Sequence, residues 1–211
     1  MIKIIPVIHY NNNKQLNTNV RTCLKFGIND VFLIDHACDN DNLIDEAKTL
    51  KINYTNLWVG INLLGVQTVD ALQYNLENID GLWSDQTISI DDFSKRTFKG
   101  LYFGGLAFKY QPQPTDLEEA CANAKLTTDV ATTSGPGTGK SATFYKLQII
   151  RNFLNDHPMA IASGVDYSNI KQYNDLGINY ALVASSIIDR IHGEELISDY
   201  KLNQLLTSLS V

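Results

Sequence analysis

Eight apolar, strand-like runs recur through 211 residues, at 2–9, 30–35, 57–64, 81–85, 100–108, 128–134, 158–164 and 179–185. Helix-like stretches separate most of them. Gln15–Phe26 is closed by Gly27, and Asp41–Leu50 is opened by Asn/Asp caps. Thr68–Leu76 starts on a hydroxyl. Thr115–Lys125 starts with the capping-box form Thr-Asp-Leu-Glu. Ser141–Leu154, Ser168–Leu176 (closed by Gly177) and Glu194–Leu209 complete the set, while Ile88–Lys95 offers one or two turns. Strands alternating with helices over short connections run parallel. Their runs are continuously apolar, as required when both faces are covered. Eight such units in this length predict an α/β fold, a closed (β/α)8 TIM barrel with short loops forming a single domain over 1–211. An open doubly wound sheet is the other arrangement. It would gather its ligand residues at one switch point, whereas here polar residues end most units.

Composition narrows the function. The chain carries a net charge of −6 and no Lys/Arg cluster, which argues against nucleic acid as a partner. No apolar run reaches membrane-spanning length, and the N-terminus has no leader-like basic region. Cys23, Cys38 and Cys121 are an odd set at unrelated spacings. They read as reduced thiols of a cytoplasmic protein rather than a disulfide or zinc framework.

Asp129-Val-Ala-Thr-Thr-Ser-Gly-Pro-Gly-Thr-Gly-Lys-Ser141 runs from a strand into a glycine-rich loop ahead of a helix. Gly lets several N–H groups converge, and a helix N-terminus adds partial positive charge, so the segment points to an anion. Its end matches a Walker A loop, but Ser134 stands where the first Gly is required. A P-loop NTPase would also need a later strand ending in a magnesium-binding Asp. The run Met159–Asp166 is broken by Ser163 and Gly164 before it reaches one. In a barrel, the loops after strands seven and eight hold phosphate. Here these are Ala162-Ser163-Gly164 and Val183-Ala184-Ser185-Ser186, with a short final helix expected to contribute. The phosphate-binding candidates are therefore Ser134, Gly135, Gly137, Thr138, Gly139, Lys140, Ser163, Gly164, Ala184 and Ser185. Small residues also serve simply to make tight turns. A lysine in the first turn of a helix, as expected for Lys140, opposes the dipole, which favours a ligand role over plain solvation.

Asp35, Asp85 and His9 follow apolar runs and are the acid–base candidates. Partial burial at the mouth would bring a carboxylate pKa toward neutrality. The plainer role of each Asp is to cap loop N–H groups, and that of His9 is structural. His36 is expected to point away from the mouth. Asn62 is a candidate for a sugar hydroxyl, and Lys109 for an oxyanion or phosphate. No cofactor is evident. Asp35, Asp85 and a histidine could hold a divalent metal, although no ligand-spacing motif supports one.

Several segments together resemble the BtpA family. They are Val7-Ile8-His9, Val59-Gly60-Ile61-Asn62-Leu63-Leu64, Thr132 to Lys140, Ala162-Ser163-Gly164-Val165 and Val183-Ala184-Ser185-Ser186. Tyr10-Asn11-Asn12-Asn13 stands where that family has Pro-Leu-Pro-Gly, which marks a diverged branch. The resemblance implies a ribulose-phosphate-binding-type barrel. A phosphorylated ligand would lie at Ser163, Gly164, Ala184 and Ser185, with the Gly135–Lys140 loop across it.

The leading expectation is an enzyme that acts by acid–base catalysis on a sugar phosphate, phosphoribosyl compound or nucleotide, as an isomerase, a lyase or in glycosidic-bond cleavage. The alternative is a non-catalytic barrel that senses or sequesters such a compound. The NTPase reading is third. Homo-oligomer formation is left open.

Overall fold

The computed structural model describes residues 1–209; Ser210 and Val211, the end of the expected 1–211 domain, lie outside the described residues. Its strands are β1 (Lys3–His9), β2 (Asp30–Ile34), β3 (Trp58–Asn62), β4 (Gly81–Ser84), β5 (Leu101–Gly105), β6 (Val130–Ser134), β7 (Met159–Ala162) and β8 (Tyr180–Val183). They pair in chain order, all parallel, and β1 closes on β8 from Lys3↔Tyr180 to Pro6↔Val183. This is the expected closed (β/α)8 barrel. The helices are α1 (Asn13–Lys25), α2 (Asn40–Asn53), α3 (Thr68–Ala71), α4 (Ile90–Ser94), α5 (Leu117–Thr127), α6 (Phe144–Leu154), α7 (Ile170–Asp175) and α8 (Asp199–Thr207).

The apolar strands have two distinct faces. Ile4, Ile8, Val31, Leu33, Val59, Ile61 and Leu82 face outward against helix residues such as Leu16, Val20, Leu43, Ala47, Leu147 and Ile150. Ile5, Val7, Phe32, Ile34, Trp83, Phe103, Ala160 and Leu182 fill the interior. Burying each large side chain contributes roughly 1.5–3 kcal/mol, so the two faces together hold the barrel closed. The interior is aromatic at its base. The Phe32 ring lies edge-to-face with Trp58, Trp83 and Phe103 at 5.2, 5.9 and 5.1 Å. Two interior glycines make room for these rings. A Cβ at Gly60 would fall 2.3 Å from Phe32, and one at Gly81 2.3 Å from Trp58.

A repeated clamp closes the opposite end. Asp30, Asp80, Asp129 and Asn179 stand at or just before β2, β4, β6 and β8, about 50 residues apart. Lys3 pairs with Asp30 at 2.6 Å, Lys51 with Asp80 at 2.7 Å and Arg96 with Asp129 at 2.5 Å. Arg151 donates to the Asn179 side chain at 3.4 Å. Three of the four also accept the N–H that starts the preceding strand, from Val59, Tyr102 and Met159. Charge at this end of a barrel reads as stability.

Several expected elements differ. α3 is a single turn, not Thr68–Leu76, because Leu72 to Asn75 turn off before β4. α5 is capped by Asp116, which accepts from Glu119, rather than by Thr115. α6 begins at Phe144 with Thr143 as its cap, three residues beyond Ser141. Expected strand 100–108 ends at Gly105, and Ala107 then takes φ 47°. Most notably, Glu194–Ile197 is not helical. It is β10, paired antiparallel with β9 (Ile188–Ile191) in a hairpin turning on His192 and Gly193 at φ 51° and 84°. Positive φ at both turn residues is the type I′ form that suits a two-residue hairpin. No helix among the described residues is long and apolar enough to cross a membrane.

Candidate functional site

Strand period decides which polar residues enter the barrel mouth. On β2, Phe32 and Ile34 face in and Leu33 faces out. Asp35 is therefore directed outward and His36 inward, the reverse of the sequence expectation. Asp35 is buried and its two oxygens accept the N–H groups of Ala37 and Asp39 at 2.8 and 3.0 Å. Each such bond to a charged acceptor is worth roughly 1.5–3 kcal/mol, so Asp35 is a loop staple and not a mouth carboxylate. On β4, Leu82 faces out and Trp83 in, and Asp85 continues the inward row. Burial pushes its carboxyl up to about 6, while Lys109 and the Asn62 amide pull the other way. Asp85 Oδ1 and Trp83 Nε1 are buried with no hydrogen-bond partner among the described residues.

Two adjoining hollows open at the mouth and share Trp83. One, of about 250 Å³, is lined by Asn62, Thr68, Ser84, Asp85, Gln86 and Gln111. The other, of about 300 Å³, brings together His9, His36, Lys109, Thr138, Gly139, Ser163, Gly164, Ala184 and Ser185. The phosphate candidates on β7 and β8 thus meet in one place. Ser163 and Gly164 take φ 67° and 65°, a left-handed pair that costs a serine of order 1–3 kcal/mol. The N–H groups of Gly164 and Val165 on this turn, and of Ser185 and Ser186 after β8, have no acceptor among the described residues, and Ser186 Oγ ties the two loops by donating to Val165 O at 2.6 Å. Unpaired N–H groups on a left-handed turn make an anion-binding concavity. Asp166 also lines the hollow, but its carboxylate is engaged by the Ser168 N–H and hydroxyl. In place of the expected short final helix, β8 leads through the 185–187 turn into the β9–β10 hairpin.

The glycine-rich loop divides. Thr138 and Gly139 reach the hollow, and Lys109 Nζ donates to Thr138 Oγ1 at 3.2 Å. The others shape the loop. Ser134 is fully buried, accepts from Lys109 N and donates to Gly135 O. Gly135 and Gly164 sit against the Lys140–Ser141 backbone, where a Cβ would fall 1.8 and 2.2 Å away. Gly137 packs beside Tyr110 and the Lys140 stem. Lys140 is exposed, does not line the hollow and precedes the start of α6 by four residues. The expected first-turn lysine is therefore absent, and so is the Walker A geometry, which needs Lys-Ser at the helix N-terminus. No group of three or more His, Cys, Asp or Glu among the described residues is placed to hold a metal ion.

The site residues missed by sequence come from the misread segments. The hairpin carries Glu195 to His9, whose Nδ1 lies 2.6 Å from Glu195 Oε2. Arg190 donates to Glu195 Oε1 at 2.8 Å, and the His36 ring stands edge-to-face with His9 at 4.9 Å. Burial lowers the His9 pKa against the pull of Glu195. Burial also raises the Glu195 carboxyl, but Arg190 and His9 together outweigh it and hold it low. The signal for this hairpin was an X-Gly pair, His192-Gly193, between two short apolar-containing runs.

No protein-family model and no curated protein sequence matches this chain. Solved structures do match it in fold. 3-Hexulose-6-phosphate synthase of Salmonella typhimurium superposes with a TM-score of 0.73 at 11% identity, over 99% of both chains. Orotidine 5'-phosphate decarboxylase of Pyrococcus horikoshii gives 0.72 at 10% identity, over 98% of this chain and 99% of its own. Thiamine phosphate pyrophosphorylase of Pyrococcus furiosus gives 0.71 at 13%, over 99% and 96%. At such identities the likeness is one of fold.

Proposed function

We propose that this barrel binds a phosphorylated small molecule at its mouth and transforms it by acid–base catalysis. The observation that carries the reading is the left-handed Ser163-Gly164 turn, which lines one hollow together with Ser185, Ser186 and His9 and whose N–H groups have no acceptor among the described residues. A phosphate would take these N–H groups, with Lys109 and Thr138 closing from the loop above. The rest of the ligand would reach past Trp83 into the second hollow. There a ligand hydroxyl would accept from Trp83 Nε1 and donate to Asp85 Oδ1, and Asn62 would bind a hydroxyl. Asp85, with its carboxyl near 6, is poised to exchange a proton near neutral pH. Structures of the same fold include enzymes named for phosphorylated compounds, which supports the substrate class without assigning a reaction. The BtpA resemblance points to the same class.

The test is native mass spectrometry of the purified protein for a co-purified compound, followed by thermal shift with inorganic phosphate, sugar phosphates, phosphoribosyl compounds and nucleotides. Stabilisation by one phosphorylated class is the expected result. Failure of all of them removes the reading. Tight binding with the compound recovered unchanged would replace catalysis with sensing or sequestration.

A further inference from the structure

Glu195 has no place in the phosphate cradle or beside Asp85, yet three features bring it to the mouth. The β9–β10 hairpin stands directly after β8 and doubles back over the start of α1. Two buried amides hold it there. Gln15 Nε2 and Asn19 Nδ2 both donate to the backbone carbonyl of Glu195, at 2.9 and 3.0 Å, and Asn19 Oδ1 accepts from Ile197 N at 2.7 Å. This anchoring uses only the Glu195 backbone, so its side chain is free to do something else. It meets His9 Nδ1 at 2.6 Å while Arg190 holds its other oxygen.

We infer that His9 and Glu195 form a proton-transfer dyad, in which Glu195 fixes the imidazole with its proton on Nδ1 and so leaves the Nε2 lone pair to take a proton from a ligand in the mouth hollow. Nε2 meets no hydrogen-bond partner among the described residues, and His9 lines that hollow. In free imidazole either nitrogen can carry the proton; a carboxylate against Nδ1 selects one tautomer and steadies the imidazolium formed when Nε2 is protonated. His9 is the group that contacts the ligand; Glu195 is a positioning residue and Arg190 keeps it ionised. The charged and titratable groups facing His9 are Glu195, Arg190 and His36. The ligand's presence in the hollow rests on the function proposed above, whereas the tautomer does not.

The experiment is a long-range proton–nitrogen correlation of the histidine rings of the uniformly labelled protein, across pH 5 to 8, for the wild type, Glu195→Gln and Glu195→Ala. Amide spectra of the same samples report whether the hairpin is intact. In the wild type His9 is expected as the Nδ1–H tautomer. Glu195→Gln keeps an acceptor, so the tautomer persists while His9 titrates at lower pH, having lost the neighbouring charge. Glu195→Ala returns His9 to a mixture of tautomers. An Nε2–H tautomer in the wild type, or one indifferent to Glu195→Ala in an intact hairpin, overturns the dyad. Inorganic phosphate added to each sample should shift the Gly164 and Ser185 amides in all three proteins. Loss of that response alone strikes the phosphate reading and leaves the dyad standing.

Discussion

Asp85 and Asp35 each follow a strand as an acidic residue, and only their register separates them. Asp85 faces the interior, and with its carboxyl near 6 it serves as a base only when ionised. Turnover should therefore rise with pH through about 6. Burial lowers the His9 pKa from its ordinary 6.5, so its deprotonation falls on the same acid side, and Asp85→Asn separates the two contributions. Asp85→Asn should abolish turnover and leave affinity for a phosphorylated ligand within about tenfold, since it removes a proton-transfer group and not the anion grip. Retained activity in a steady-state assay would sink the assignment. Gly164→Ala tests the cradle. Its φ of 65° and the Ser141 N–H at 2.2 Å from any Cβ leave no room, so melting should report a loss of about 1–3 kcal/mol together with loss of phosphate stabilisation. The type of residue at each of these positions was legible in the chain. Its direction was not, because a strand run that ends one residue early or late reverses which side chain enters the mouth. That is how Asp35 and His36 exchanged places.

At the scale of elements, the strands were legible and the segments after them less so. A run such as Val31-Phe32-Leu33-Ile34 can only be a strand buried on both faces, because every position meets a side chain from the core or from a helix. The stretch from Ile188 to Leu209 has apolar residues that fit a helical period in its second half. The His192-Gly193 turn governs its first half instead, since a residue pair at positive φ ends a helix but begins a hairpin. Side chains from a distant helix then fix what the turn started. Asn19→Ala removes a donor to Glu195 O and the acceptor of Ile197 N. Glu195 O keeps Gln15 Nε2, but Ile197 N is left buried without an acceptor, which costs about 1–3 kcal/mol. Hydrogen exchange should show faster opening of 188–197 while the β1–β8 ladder keeps its protection. Equal loosening of both would mean that the hairpin is part of the barrel's cooperative core.

For the whole molecule, two half-buried histidines set a pH slope. Burial lowers the pKa of both His9 and His157. The unfolded chain therefore binds more protons than the folded one just below 6.5, and stability falls as pH drops through that window. Asp85 works in the opposite sense. Its folded pKa of about 6 lies above the ordinary 3.8 of an aspartate, so the folded state binds more protons between them and gains as pH falls. Asp85→Asn should accordingly steepen the loss of melting temperature below pH 6.5. An unchanged slope would show that Asp85 titrates as an ordinary surface carboxylate. At the barrel base, Asp129→Ala leaves the Tyr102 N–H and Arg96 unpaired, and Asp80→Ala leaves the Val59 N–H unpaired and Lys51 with Leu57 O alone. Each should cost about 1–3 kcal/mol, and because the two share no partner the double variant should show their sum.

The four base clamps recur about every 50 residues and join each odd strand to the even strand after it. Each ties one pair of neighbouring strands, and no pair is privileged over the others. β1 and β8 are joined side by side like any other pair, so the barrel has no seam. A chain permuted so that β1 follows α8 through a linker, with new ends opened in the exposed stretch around Glu77, would keep every clamp and every strand neighbour. It should assemble the same mouth from a different order of synthesis.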